Sequence, residues 1–226
     1  MNVLIVTTSC KNLTPGHPTG LWLEEFTIPY STLSEAGAKI TVVSPKGGAV
    51  PIDPKTTPSE SDTKKWLPAL NALKTTGRLS EVSSGVFDAI FLPGGHGPMI
   101  DLVNNLDLQR LIAVFDELGK IIAAVCHGPA ALLNVHRLSG EPLIKGRKVT
   151  GFTAIEERLV MLHDVVPFLL ENEMKDRGAN FHSAFLPLMS HVERDGNLIT
   201  GQNPASSKKL AEELLIALRS TVSASV

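Results

Sequence analysis

The strongest chemical signal in this 226-residue chain surrounds Cys126. Five apolar residues, Ile121 to Val125, lead into it, and His127-Gly128-Pro129 follows. A buried strand, a tight turn and a helix start are the layout of a nucleophile elbow. The turn strains the nucleophile's backbone, so its neighbours must be small, as Ala124 and Gly128 are. A thiol beside a helix N-terminus sits in positive potential, which favours the thiolate. A free cysteine titrates near about 8.5, and such settings lower it to roughly 3.5–7.5. A second loop suited to chemistry is Pro93-Gly94-Gly95-His96-Gly97, where glycines let backbone N–H groups approach a substrate oxygen closely. His96 reads as a loop histidine that could reach a pocket. Cys10 reads as structural, with redox sensing as the alternative.

The elements that must position these residues alternate along the chain. Asn2 to Thr8 is a β-branched strand. Leu21 to Ala36 carries Leu21, Phe26, Tyr30 and Leu33 at helical spacing and stops at Gly37. Strands are expected over Lys39 to Val43, Phe87 to Leu92 and Ile121 to Val125. Helices are expected over Lys64 to Leu73, Leu106 to Leu118, from Pro129 to Leu133, and over Val166 to Arg177. Lys148 to Gly151 reads as a strand. His191 to Thr200 reads as two strands around Asp195-Gly196. A terminal helix runs from Asn203 to Leu218, with Asn203 as N-cap and Pro204 at the first position. Nearly all-apolar strands alternating with helices imply a parallel sheet covered on both faces. The fold expected is a flavodoxin-like three-layer α/β sandwich. Its cysteine lies at the carboxyl end of a strand, where open sheets of this kind bind ligands. Residues 45–75, opening on a Pro- and Gly-rich stretch, form an excursion near the pocket rather than a boundary, so one domain is expected over residues 1–226.

Composition narrows the function classes. Net charge is −2 with both signs interspersed, which gives no reason to expect a nucleic acid or an anionic membrane as partner. No apolar run reaches transmembrane length. The opening residues lack a signal peptide's basic and apolar regions, so the cytoplasm is expected. His17, His136, His163, His182 and His191 show no zinc-site spacing, and no phosphate-binding glycine loop is present. Neither metal nor cofactor is expected.

The segment Ala123-Ala124-Val125-Cys126-His127-Gly128-Pro129 resembles the elbow of the PfpI-like superfamily, of the class I glutamine amidotransferase-like fold. Three further segments resemble its glyoxalase III branch, which also includes heat-inducible chaperones and proposed deglycases. They are Gly20-Leu21-Trp22-Leu23-Glu24-Glu25-Phe26 with Pro29-Tyr30, Thr150-Gly151-Phe152-Thr153 with Glu156-Glu157, and Thr200-Gly201-Gln202-Asn203-Pro204-Ala205-Ser206. Together they span nearly the whole chain in order.

The resemblance implies a cofactor-independent, glutathione-independent glyoxalase. Such an enzyme converts methylglyoxal and related 2-oxoaldehydes to 2-hydroxy acids such as D-lactate through a Cys126 hemithioacetal. It implies Glu25, by its place before Pro29-Tyr30, as the carboxyl that meets the thiol; without the family match Glu24 and Glu25 read as the polar side of a helix. His127 is implied as proton carrier. The backbone N–H groups of His127 and of Gly95, with Gly94 beside it, are implied as the oxyanion site. Glu157 is implied as the acid that orients His127, with Glu156 as competitor. A homodimer is the implied assembly. The alternatives are a stress chaperone or protein deglycase, or a thiol amidase or peptidase. For an amidotransferase triad, His191-Val192-Glu193 has the right pattern, although Arg194-Asp195-Gly196-Asn197 places it on a hairpin.

Overall fold

The computed structural model describes residues 1–223, so the last three residues of the expected domain lie outside the described ones. Seven strands form the main sheet: β1 (Asn2–Val6), β2 (Lys39–Ser44), β3 (Gly77–Arg78), β4 (Ala89–Leu92), β5 (Ile121–Val125), β6 (Val192–Asp195) and β7 (Leu198–Gly201). Their order is β6-β7-β5-β4-β1-β2-β3. All pairings are parallel except β6 with β7, the hairpin expected around Asp195-Gly196.

Strand alternation divides the core into two layers. Leu4, Val6, Ile90, Leu92, Ile122 and Ala124 face one side, where they meet Leu108, Ile112 and Phe115 of α2 (Leu106–Glu117). Val3, Ile5, Phe91, Ala123 and Val125 face the other. There they pack on Leu23, Phe26 and Leu33 of α1 (Leu23–Glu35) and on Leu210 and Leu214 of the terminal helix (Ser207–Ser223). The inner strands are apolar on both faces because helices cover both. This is a flavodoxin-like α/β sandwich.

Several boundaries depart from the pattern reading. The helix expected over Lys64 to Leu73 is two short helices, Glu60–Lys65 and Leu67–Ala72. Pro68 supplies no N–H to a continuous helix, so the chain restarts at Trp66. The helix expected from Val166 begins at Leu170, because Pro167 disfavours helical backbone at Val166. Lys148–Val149 is a strand, but it pairs with Asn180–Phe181 outside the main sheet. Asn203 caps a short 3-10 turn, Pro204–Ser206, which runs on into the terminal helix. The pattern reading omitted the helix Ala154–Leu159, although Thr153 and Glu156 form a reciprocal capping box at its start.

The excursion joins the sheet's carboxyl edge. Pro51 accepts a hydrogen bond from Leu21 N–H at 2.8 Å, and Asp53 N–H donates to Leu21 at 2.9 Å. The residues entering α1 are thereby fixed to the segment that carries Asp53 and Lys55.

Candidate active site

Cys126 is 3% exposed and has φ of +61°, in the left-handed region. For a residue with a Cβ this backbone is strained, and the surrounding turn must hold it. Its N–H donates to Gly201 at 2.9 Å, and its carbonyl accepts from Phe152 N–H at 3.0 Å. The close turn explains Gly128, where a Cβ would lie 2.1 Å from the carbonyl oxygen of Leu92. The element after the elbow is a 3-10 turn, Gly128–Leu132, rather than the α-helix expected. No long helix dipole therefore supports the thiolate. Burial, and then the neighbouring Glu25 carboxyl, push the Cys126 thiol above its ordinary value. The expectation of a resting thiolate is corrected: the sulfur starts as a buried thiol and needs a base.

The imidazole nearest the sulfur is next in sequence. The Sγ of Cys126 is 3.2 Å from Nδ1 of His127, and Nε2 of His127 is 2.7 Å from Oε2 of Glu157. Burial, and then His96, hold His127 down at about 4, so its ring is neutral near pH 7. Burial by itself would lift Glu157, but His127 and then His96 outweigh it and hold that carboxyl at about 2. An ionised carboxylate only accepts, so Nε2 of His127 carries the ring proton and Nδ1 faces the sulfur as an acceptor. Glu157 thus fixes the tautomer that can take the thiol proton.

Glu25 lies in the first turn of α1 and is fully buried. Pro29 has no N–H for the carbonyl of Glu25, which loosens the helix at this point. One carboxyl oxygen accepts from Gly94 N–H at 2.9 Å. The other has no hydrogen-bond partner among nitrogen and oxygen atoms of the described residues. The side chain that acts most strongly on the carboxyl is the Cys126 thiol. Burial lifts Glu25 to about 8, so near pH 7 it is a neutral acid that can donate.

The glycine loop fits between these groups. A Cβ on Gly94 would stand 2.7 Å from both Oε2 of Glu25 and the carbonyl oxygen of Val125. Gly95 has φ of +84°, and its N–H acts on the Cys126 sulfur. Gly95 N–H therefore faces the sulfur.

Glu156 and Glu157 separate cleanly. Glu156 is buried and accepts from Thr153 N–H and hydroxyl, Leu188 N–H, Gln202 and Asn203. It ties the loop, the hairpin end and the short helix together, away from the histidines. The Thr-x-x-Glu spacing of a capping box was an available sequence signal for the place of Glu156.

His96 is the residue that sequence reasoning undervalued. Its Nε2 lies 2.8 Å from Oε1 of Glu157, it is 7% exposed, and its ring centroid is 4.0 Å from that of His127. Its position in the loop after a strand end was the available signal. His96, His127 and Glu157 present donor atoms within 4.8 Å of one another, each engaged in a hydrogen bond inside the cluster. His191 bonds Glu193 at 2.9 Å and lies outside the walls of the Cys126 cavity. Cys10 is a half-buried free thiol, not paired with Cys126. Among the described residues no helix is long and apolar enough to cross a membrane.

Cys126, His96 and His127 open into a cavity of about 140 Å³. Trp22, Phe152, Val160, Leu188 and Pro204 give it apolar walls, and Lys55 stands among the lining residues. The volume suits a molecule of a few heavy atoms. The arrangement can generate a sulfur nucleophile at Nδ1 of His127, hold a developing oxyanion on backbone N–H groups, and donate a proton from Glu25.

Known proteins share this framework. Glyoxalase 3 of Candida albicans is 30% identical over 231 residues, covering 96% of this chain and 98% of that protein. The crystal structure of glyoxalase III from Candida albicans has a TM-score of 0.86 at 28% identity, covering 96% of this chain and 97% of that one. The X-ray structure of Rapid Encystment Protein 24 kDa from Francisella tularensis has a TM-score of 0.90 at 37% identity, covering 96% and 98%. A family model described as DJ-1/PfpI matches residues 19–217, a span that holds the elbow cysteine and its partners, so this chain belongs to the DJ-1/PfpI family.

Proposed function

We propose that this chain is a glutathione-independent glyoxalase that converts methylglyoxal and related 2-oxoaldehydes to 2-hydroxy acids without a cofactor. The observation that carries the reading is a buried thiol set between a neutral imidazole acceptor at 3.2 Å and a protonated carboxyl. The names of the relatives support the same chemistry.

The thiol proton passes to Nδ1 of His127, and the sulfur bonds to the aldehyde carbon. The aldehyde oxygen meets the N–H groups of Gly95 and His127, then takes a proton to complete a hemithioacetal. Glu25 and His127 next move the hydrogen of that carbon through an enediol to the adjacent carbon. The aldehyde carbon is oxidised to the acyl level while the ketone carbon is reduced to an alcohol, so no external oxidant enters. Water then cleaves the thioester and releases the 2-hydroxy acid. Glu157 keeps His127 in the accepting tautomer throughout. A cytoplasmic homodimer, with neither nucleic acid nor membrane as partner, completes the reading.

The test is lactate formation from methylglyoxal without glutathione. Wild type is expected to turn over, and Cys126→Ala to lose all turnover. A Cys126→Ala protein as fast as wild type overturns the mechanism. A second reading, a stress chaperone, is favoured by the exposed apolar strip Phe185, Leu186, Leu188 and Met189, in which Phe185 is 98% exposed. Suppression of aggregation by Cys126→Ala as strong as by wild type would carry it.

A further inference from the structure

Glu157 holds two imidazoles, and the mechanism above uses only one. His127 spends Nε2–H on one carboxylate oxygen and turns Nδ1 to the sulfur. His96 spends Nε2–H on the other oxygen. Its Nδ1 has no hydrogen-bond partner among the described residues, and it is not among the sealed, unpartnered polar atoms of the interior. His96 lines the apolar cavity over Cys126 and also a neighbouring cavity of about 220 Å³. His17 and Thr19 stand in the walls of the second cavity, Asp53 and Lys55 in the walls of both, and Thr19 donates to Asp53 at 3.2 Å. A cavity of this size with several polar groups in its wall has both the room and the partners for water. His96 therefore stands where this cavity meets the one that carries Cys126.

We propose that His96 is a second catalytic base, which activates the water that cleaves the Cys126 thioester, with the neighbouring cavity as the route of that water. This rests on the glyoxalase reading. The water oxygen bonds to the thioester carbonyl carbon as one water proton passes to Nδ1 of His96. The resulting imidazolium keeps its Nε2–H on ionised Glu157, which stabilises it as a buried carboxylate does in a hydrolase triad. The carbon–sulfur bond breaks, the sulfur leaves with the bonding pair, and the proton on His96 returns to it through the cavity water. One water is consumed, and the free thiol and the 2-hydroxy acid are formed. Two imidazoles on one carboxylate thus divide the reaction: His127 serves formation of the thioester and His96 its cleavage.

His96→Gln tests this, because the Gln amide nitrogen reaches the place of Nε2 and still donates to Glu157, while no base remains at the position of Nδ1. With methylglyoxal, wild type should show no lasting adduct by intact mass. His96→Gln should accumulate Cys126 carrying the mass of one methylglyoxal, with kcat lowered about 100-fold or more and KM lowered in parallel. Hydroxylamine, which needs no base, added after free methylglyoxal has been removed, should release the adduct as the hydroxamate and return free Cys126. His96→Asn, which loses the donor to Glu157, should also accumulate the adduct while lowering kcat/KM; it replaces His96→Gln if that variant does not fold. Full wild-type kcat in a folded variant refutes the proposal. So does an equal fall in kcat and kcat/KM with no adduct, which marks His96 as a positioning residue only. If wild type itself forms no lactate, the glyoxalase reading fails instead.

Discussion

Replacing Glu25 with Gln should stabilise the protein and disable its chemistry in the same step. Burial lifts the carboxyl from 4.5 to about 8, and its side chain is fully shielded from water. Unfolding exposes the group, which then ionises near its ordinary value. Because the folded value is raised, the neutral group's contribution is whole below the unfolded value and is withdrawn as pH climbs toward the folded one. One unit of pH is worth about 1.4 kcal/mol. The resulting deficit in wild type is about 1 kcal/mol at pH 5, about 3 kcal/mol at pH 7 and about 4 kcal/mol at pH 8. The Gln amide does not ionise; it keeps an oxygen for Gly94 N–H and turns an N–H toward the sulfur. Urea unfolding of wild type and Glu25→Gln at these three pH values reads the difference directly. The gap should widen with pH while lactate formation falls about 100-fold or more. A gap that stays constant from pH 5 to pH 8 would mean that Glu25 is already ionised in the folded protein, and the assignment of a neutral acid beside Cys126 would fail.

The same groups shape the pH–rate profile. His127 is held at about 4 and must be neutral to accept the thiol proton, while Glu25 is lifted to about 8 and must be protonated to donate. Activity should therefore rise through about 4, stay level, and fall through about 8; activity still rising past pH 9 contradicts Glu25 as the acid. Glu156→Gln should cost about 3 kcal/mol of stability, because its new N–H would face the donors of Leu188, Gln202 and Asn203. Glu157→Gln should instead mainly lower kcat, and denaturant midpoints set beside rate constants separate the two. Gly94→Ala would push a methyl group to 2.7 Å from the Glu25 carboxyl and should reduce kcat/KM about 100-fold with a lower melting temperature. A variant with unchanged kinetics would show that the loop does not set the position of that acid.

How legible the molecule was in its sequence depended on how local each cause was. The strand Ile121–Val125 appears at its expected bounds because a run with no polar residue has to be buried on both faces. The hairpin at Asp195-Gly196 follows from turn chemistry within a few residues. The split at Trp66 and the late start at Leu170 are proline effects that hydrophobic spacing alone overlooks. The choice between Glu156 and Glu157 was half legible: a Thr three residues before Glu156 marks a capping box, but nothing local says which carboxyl meets His127.

Sequence by itself determined the layered sheet, the strained turn at Cys126 and the need for glycine beside it, because each follows from burial or backbone sterics among neighbours. Tertiary structure decided the electrical state of the site. Whether the thiol is ionised, whether Glu25 keeps its proton and whether His96 joins Glu157 all depend on desolvation and on groups brought together from α1, two loops and a short helix. A side chain's charge is set by the dielectric and the partners that surround it, and those exist only once the chain has folded.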